Sequence, residues 1–138
     1  MGEGSVMTSS GFNNILQLTF SGSSTKRFQY FVIGTGSTTP TTSNIGLEST
    51  ITSWTEGGTS FKAYVATYPM FSATNQTVTV RGFINSAEAT GKIIYEYADV
   101  NNDTTKCPAA RFVWEDPITK TTSNQITIIT VFKRTGGT

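Results

Sequence analysis

Short apolar segments alternate with polar, turn-forming clusters along the whole chain. The segments are rich in β-branched and aromatic side chains, and they end at Gly, Asn, Ser, Thr or Pro. Their alternating or continuously apolar patterns are typical of strands, and they cover Ile15–Phe20, Arg27–Ile33, Ser60–Tyr68, Gln76–Ile84, Gly91–Ala98, Ala110–Glu115 and Asn124–Lys133. The spacing of the turns predicts an all-β protein with a single antiparallel β-sandwich of about seven strands.

At most one short helix is expected. Residues Thr42–Asn44 are suited to cap a helix or 3₁₀ turn over Ile45–Ile51, although Gly46 lies inside that segment. The small and polar residues 1–11 and 135–138 are predicted to be flexible tails. The β-sandwich domain is therefore expected to span residues 12–134.

The amino-acid composition limits the kinds of partner that the protein is expected to bind. Only 14% of the residues are charged, the formal net charge is +1, and 26 Thr and 14 Ser replace much of the usual charge. This balance provides no basic surface for nucleic acid and no polybasic patch for a membrane surface. No apolar run approaches the length of a membrane span, and no signal peptide is recognised. We therefore expect a soluble domain with neither a nucleic-acid nor a membrane partner.

The missing residue types limit the chemistry. The chain has no His and a single cysteine, Cys107, which excludes a Ser-His-Asp arrangement, a His-ligated metal and an internal disulfide. The adjacent carboxylates Glu115 and Asp116 precede Pro117 and are expected in a turn after a strand. If they instead lie on a strand, neighbouring side chains point to opposite faces, so we do not expect them to form an acid–base pair. We expect no enzymatic activity and no cofactor.

One segment partly matches a calcium-binding loop. Asp99, Asn101 and Asp103 follow the spacing of the first loop ligands. However, Thr104 stands where the loop needs Gly, and Ala110 stands where it needs a bidentate Glu. The pattern favours a polar hairpin loop rich in Asn and Asp, in which the three residues are candidates only for weak calcium binding.

Two further features have both a structural and a functional interpretation. The segment Gly34-Thr35-Gly36 follows a predicted strand but lacks the third glycine and the helix of a nucleotide-binding turn, so a tight strand exit with positive φ is the favoured interpretation. Trp54 lies in the polar stretch Thr50–Gly58. If its ring is exposed, it would indicate contact with a protein partner or a glycan.

The order and spacing of several segments resemble those of small bacteriophage tail proteins. In that group, a strand ending in a Gly-Thr-Gly turn and a Thr/Pro stretch leads to a segment that contains Leu-Glu. The corresponding residues are Phe31–Pro40 and Asn44–Ser49, followed by Asn75–Val80, Ile94–Asp99, Ala110–Val113, Asp116–Thr121 and Asn124–Phe132. Over residues 28–133 the chain is similar to the phage tail-collar fibre type and related virion appendage proteins.

The resemblance implies a structural protein of the tail or collar, serving as a fibre base or an adaptor. Such a protein is located in the virion after assembly in the host bacterial cytoplasm. Its partners are other virion structural proteins and further copies of itself, in trimers or rings. Two alternatives stay open, namely a capsid decoration or head-fibre protein and a carbohydrate-binding module that recognises host glycans. The candidate interface residues are Phe12, Thr39, Pro40, Trp54, Asn101 and Asn102.

Overall fold

The computed structural model describes residues 4–133, which form eight strands in two antiparallel sheets and one α-helix. The elements are β1 (Gly4–Met7), α1 (Ser9–Ser21), a 3₁₀ turn (Ser24–Lys26), β2 (Phe28–Gly34), β3 (Lys62–Ala63), β4 (Met70–Ser72), β5 (Thr77–Ile84), β6 (Ile93–Asn101), β7 (Pro108–Thr119) and β8 (Ile126–Lys133). The five-stranded sheet has the order β1-β7-β6-β2-β3, and the three-stranded sheet has the order β4-β5-β8.

The predicted all-β, sandwich-like architecture is confirmed. Strands β2, β5, β6 and β8 lie close to their predicted positions. Alternate residues of these strands point inward and bury one shared core, the main driving force for packing the two sheets. The core includes Phe31, Ile33, Val80, Ile84, Ile94, Tyr97 and Ile126.

The five-stranded sheet is covered on both faces. Its second face carries Val32, Ala98 and Val100, which pack beneath Leu47 and Phe61 from the long connection between β2 and β3. Central strand β6 is therefore buried along most of its length. This burial on both faces explains why the two charged residues of β6, Glu96 and Asp99, are removed from water.

Two strand boundaries differ from the predictions. Only Lys62–Ala63 of the predicted strand Ser60–Tyr68 pairs in the five-stranded sheet. Conversely, β7 continues past Glu115 to Thr119, so Glu115 and Asp116 lie within a strand and not in a turn. The extension forms because Ile118 and Thr119 pair with Ile94 and Ile93 of β6.

The predicted strand Ile15–Phe20 is wrong, because these residues belong to helix α1. The Thr8 hydroxyl accepts a hydrogen bond from Gly11 N at 2.9 Å and caps the start of the helix. Gly22 adopts φ 68° after the last turn and donates its N–H to Leu18 O. Capping at both ends thus favours the helix over the alternating pattern of the segment.

The predicted N-terminal tail is wrong for residues 4–11, which form β1, its link to α1 and the first turn of α1, so the folded domain begins before residue 12. Residues 1–3 lie outside the described residues. Residues Gly4–Met7 pair with β7, with Gly4 opposite Val113 and Met7 opposite Ala110. The predicted helix at Ile45–Ile51 is also wrong. The segment at Ile45–Ile51 is irregular, because the backbone N–H groups of Glu48 and Ser49 donate to the Glu96 carboxylate instead of to helical carbonyls. The predicted C-terminal tail, 135–138, lies outside the described residues.

Candidate interaction surfaces and buried polar clusters

A buried ion pair joins β6 to β7. Arg111 Nε donates to Glu96 Oε2 at 2.8 Å, and both side chains are almost fully buried. The same carboxylate accepts backbone N–H groups of Glu48, Ser49 and Gly36 at 3.0, 2.8 and 3.0 Å. These hydrogen bonds offset the cost of removing the carboxylate from water and fix the β2–β3 connection against the sheet.

Glu48 extends this cluster towards solvent. Its Oε2 accepts from Thr38 N at 3.0 Å and from Thr38 Oγ1 at 2.9 Å, and it lies 3.4 Å from Arg111 Nη2. These interactions, chiefly the hydrogen bonds from Thr38, lower the pKa of the Glu48 carboxyl.

The glycines of the Gly34-Thr35-Gly36 segment are required for a different reason from the one predicted. Neither has positive φ. A Cβ atom on Gly34 would overlap the Glu96 carboxylate, and one on Gly36 would overlap both Glu96 and Glu48. The absence of a side chain therefore lets the backbone approach the two carboxylates.

A second buried carboxyl group lies between the two sheets. Asp99 Oδ1 accepts hydrogen bonds from Tyr64 OH at 2.8 Å and from Tyr97 OH at 2.5 Å. Its other oxygen, Oδ2, has no partner among the described residues. Burial raises the pKa of Asp99 to about 6, against the opposing effect of the tyrosine hydrogen bonds, and it also raises the pKa values of both tyrosines.

The calcium candidates are not brought together, so the loop-type calcium site is not formed. Asp99 faces the tyrosines in the core, whereas Asp103 pairs with Lys26, which lowers the pKa of the Asp103 carboxyl. Asn101 is buried, and its Oδ1 accepts from Asp103 N at 3.1 Å and Cys107 N at 3.0 Å. Within residues 4–133, no group of three His, Cys, Asp or Glu side chains is arranged to hold a metal ion.

Trp54 belongs to the core and not to an exposed platform. Its side chain is only 3% exposed and packs against Phe31 at a ring-centroid distance of 5.6 Å. The indole N–H donates to Ser60 O at 2.9 Å. The interpretation of Trp54 as an exposed contact residue is therefore wrong, because its ring packs into the hydrophobic core.

Helix α1 carries an exposed apolar stripe, which we call the helix stripe: Phe12, Leu16 and Phe20, spaced four residues apart. The three side chains are 52%, 39% and 83% exposed. The opposite side of α1 contributes Ile15 and Leu18 to an apolar cavity of about 330 Å³. The helix contains no charged residue. The exposed stripe is therefore not flanked by charged side chains on α1.

The other candidate interface residues lie in two separate regions. The loop that contains Thr39 and Pro40 reaches the start of α1, where Thr42 O accepts from Ser9 N at 2.8 Å. Thr39 is exposed and Pro40 half-buried. Asn101 is the last residue of β6, and Asn102 begins the β6–β7 connection, where it is exposed and donates its N–H to Arg27 O. Phe12, Thr39 and Pro40 thus lie on elements that meet.

Among the described residues, strand β8 lies at one edge of the three-stranded sheet. We call its residues Thr127, Ile129, Val131 and Lys133 the β8 edge. Ile129 and Val131 are 61% and 55% exposed. Beside them, on the outer face of neighbouring β5 and β4, lie Thr79 and the half-exposed Met70. The sequence shows these aliphatic residues, but it does not show that β8 is an edge strand.

Comparisons of the chain with protein-family models, curated proteins and solved structures found no match. In the part of the chain that the structure describes, no helix has the length and apolar character needed to cross a membrane.

Proposed function

We propose that this protein is a structural component of a bacteriophage virion that acts through protein–protein contacts. The proposed location is the tail or collar, where the protein serves as a fibre base or as an adaptor for an appendage. Its partners are other virion structural proteins and further copies of itself. The resemblance over residues 28–133 supplies the phage context, and the helix stripe is the observation that carries the assembly function.

The helix stripe supports assembly because exposed apolar patches of this kind mark interaction surfaces. Phe20 is 83% exposed, and burial of an aromatic side chain is among the largest single contributions to an interface. Phe12 and Leu16 extend the same stripe over the length of the helix. A protein partner can therefore bury a continuous apolar surface without having to desolvate any charge on α1.

The environment of the buried carboxylates favours an architectural function over a catalytic one. Glu96 is engaged by Arg111 and three backbone N–H groups, and Glu88 by Lys62 at 2.5 Å. Asp99 is held by two tyrosines inside the core. Each carboxylate thus binds elements of the fold to one another, an arrangement that supports a fixed shape.

The two alternatives differ in their support. A capsid decoration or head-fibre protein would use the same helix stripe, so copy number must separate it from a tail component. A carbohydrate-binding module has lost its main candidate, because the Trp54 ring is buried. Saturable binding of the purified chain on a glycan array would nevertheless favour that module.

Mass spectrometry of purified phage particles, with quantitation of copy number, tests the proposal. A few copies up to about a dozen would support a tail or collar position, because symmetric appendages repeat a small number of times. Hundreds of copies would support shell decoration. Absence of the protein from particles of the phage that encodes it would overturn the proposal.

A further inference from the structure

Strand β8 is a long sheet edge, and no described residue pairs with its outer side. The other edge strands among the described residues are short: β1 has four residues, β3 two and β4 three. β8 has eight residues and pairs with β5 along its full length without a register shift. Proteins usually protect such edges with charges, proline or bulges, and β8 has only Lys133 at its end.

The unpaired backbone groups of β8 can be assigned from its neighbour. Val65 N donates to Arg81 O at 2.8 Å, on the side of β5 that faces away from β8. The N–H and C=O of a strand residue point to the same side, and the side alternates along the strand. Ile129, the partner of Arg81, therefore directs both groups to the free side. The same holds for the other residues of the β8 edge.

We propose that β8 pairs antiparallel with β8 of a second copy of this chain, about a two-fold axis through Thr130. The pairing joins two three-stranded sheets into one continuous sheet. In this register Ile129 lies opposite Val131 of the second copy, and Thr127 lies opposite Lys133 of the second copy. All residues of the β8 edge then form hydrogen-bonded pairs, which together contribute about eight main-chain hydrogen bonds.

The pattern of side chains favours a second copy as the occupant. Continuation of the sheet requires opposed residues to share a face, and the axis through Thr130 meets this condition. The register places the aliphatic side chain of Ile129 opposite that of Val131. It also places Lys133, the one cation of the β8 edge, opposite the neutral Thr127. Such a two-fold contact is self-complementary and closed, as in most homodimers. A strand from a different protein is an alternative outcome of the test.

Analytical ultracentrifugation of the purified full chain tests the inference. We expect a reversible dimer. Its dissociation constant should rise roughly tenfold or more in Ile129→Lys, because the two added lysine charges of the dimer lie near its centre and repel each other. Thr79→Lys is the matched control: it adds the same charge to the same sheet face, but on β5, one strand away from the edge. Circular dichroism verifies folding, and Val131→Lys replaces Ile129→Lys if that variant unfolds.

Cysteine cross-linking tests the register in a Cys107→Ser background. The pairing of residue 129 with residue 131 predicts disulfide-linked dimers when Ile129→Cys and Val131→Cys chains are mixed, in excess of those formed by either variant alone. A chain that remains monomeric at several hundred micromolar, or a dimer insensitive to both Lys variants, would overturn the inference. So would a contact with a different protein's strand as the only occupant of the edge.

The inference deepens the proposed assembly function and rests on it for its biological purpose. The experiments are nevertheless separable, because dimerisation is measured on the isolated chain and the virion proposal on particles. A monomeric chain found in virions would refute the β8 pairing alone. A dimer absent from virions would refute the virion proposal alone.

Discussion

Arg111 and Glu96 form a buried contact, with Arg111 Nε and Glu96 Oε2 2.8 Å apart, that connects the sheet to the loop covering it. Arg111 lies opposite Ala98 in the β6–β7 register, so Glu96 is its diagonal neighbour on the same face. The loop supplies backbone N–H groups to Glu96 and the Asn44 side chain to Arg111. Neither charge is left without partners.

Arg111→Met should lower the free energy of unfolding by about 3–5 kcal/mol, because it leaves the Glu96 charge buried without its cation. Urea denaturation measures the effect. Lys92→Met is the control, since Lys92 is exposed and forms no ion pair with a described residue, and it should change stability by less than about 0.5 kcal/mol. Equal effects of the two substitutions would contradict the role given to Arg111.

Gly34→Ala should destabilise the fold by about 1–3 kcal/mol, the usual cost of overpacking. The added Cβ would overlap the Glu96 carboxylate and would lie 2.5 Å from Ser49 O, so sheet and loop would be forced apart. Gly46→Ala provides the comparison, because no atom lies within 4 Å of its Cβ position and its φ is not positive. That variant should stay within about 1 kcal/mol of the wild type, and thermal unfolding distinguishes the two.

Asp99 should make stability depend on pH in the opposite direction to an ordinary salt-bridged carboxylate. Its pKa is about 6 in the folded protein, against 3.8 for an unperturbed aspartate side chain, so the folded state binds the proton more tightly. The stabilisation is complete below pH 3.8 and is lost as the pH rises through about 6. Relative to Asp99→Asn, the wild type should therefore lose about 2 kcal/mol between pH 4 and pH 7.

Asp103→Asn is the control for this pH dependence. The pKa of Asp103 is lowered, mainly by its hydrogen bond from Lys26, so its contribution is present above the ordinary pKa of an aspartate and is lost as the pH falls. The two variants should thus differ from the wild type with opposite slopes in urea titrations across pH. A flat difference for Asp99→Asn would show that Asp99 is not buried in the folded state.

The strands could be predicted from the sequence where one pattern dominates. In β5, Val78 and Val80 point into the core, whereas Thr77 and Thr79 point outward. The sequence shows this alternation of apolar and polar residues directly. The ion pair of Glu96 and Arg111 could not be predicted, because it depends on a pairing between strands and on a loop folding over them. A charge inside a strand normally indicates a solvent-facing position.

Helix α1 shows why the local pattern of apolar and polar residues predicted a strand where the protein forms a helix. Leu16, Leu18 and Phe20 alternate with polar residues, which is the signature of a half-buried strand. The signals for a helix were Thr8 before the segment and Gly22 after it. In this segment, capping and the contact of Gly11 with the β7 backbone outweigh the alternation.

Leu16→Ser and Leu18→Ser provide a test of the helix against the strand. In a strand both side chains would lie on one face, and the two substitutions would cost about the same. In the helix, Leu16 is on the exposed helix stripe whereas Leu18 lines the apolar cavity. We expect Leu18→Ser to lower the free energy of unfolding by about 1–2 kcal/mol, and Leu16→Ser to lower it by less than about 0.5 kcal/mol.

Dye binding then separates the stability of the helix from the function of its stripe. The fluorescence of a dye that reports exposed apolar surface should fall in Leu16→Ser and in Phe20→Ser, because each removes part of the helix stripe while the fold is retained. Leu18→Ser should instead increase the fluorescence by loosening α1 from the cavity. If Leu16→Ser destabilises the protein as much as Leu18→Ser does, the stripe is buried and cannot serve as the assembly surface.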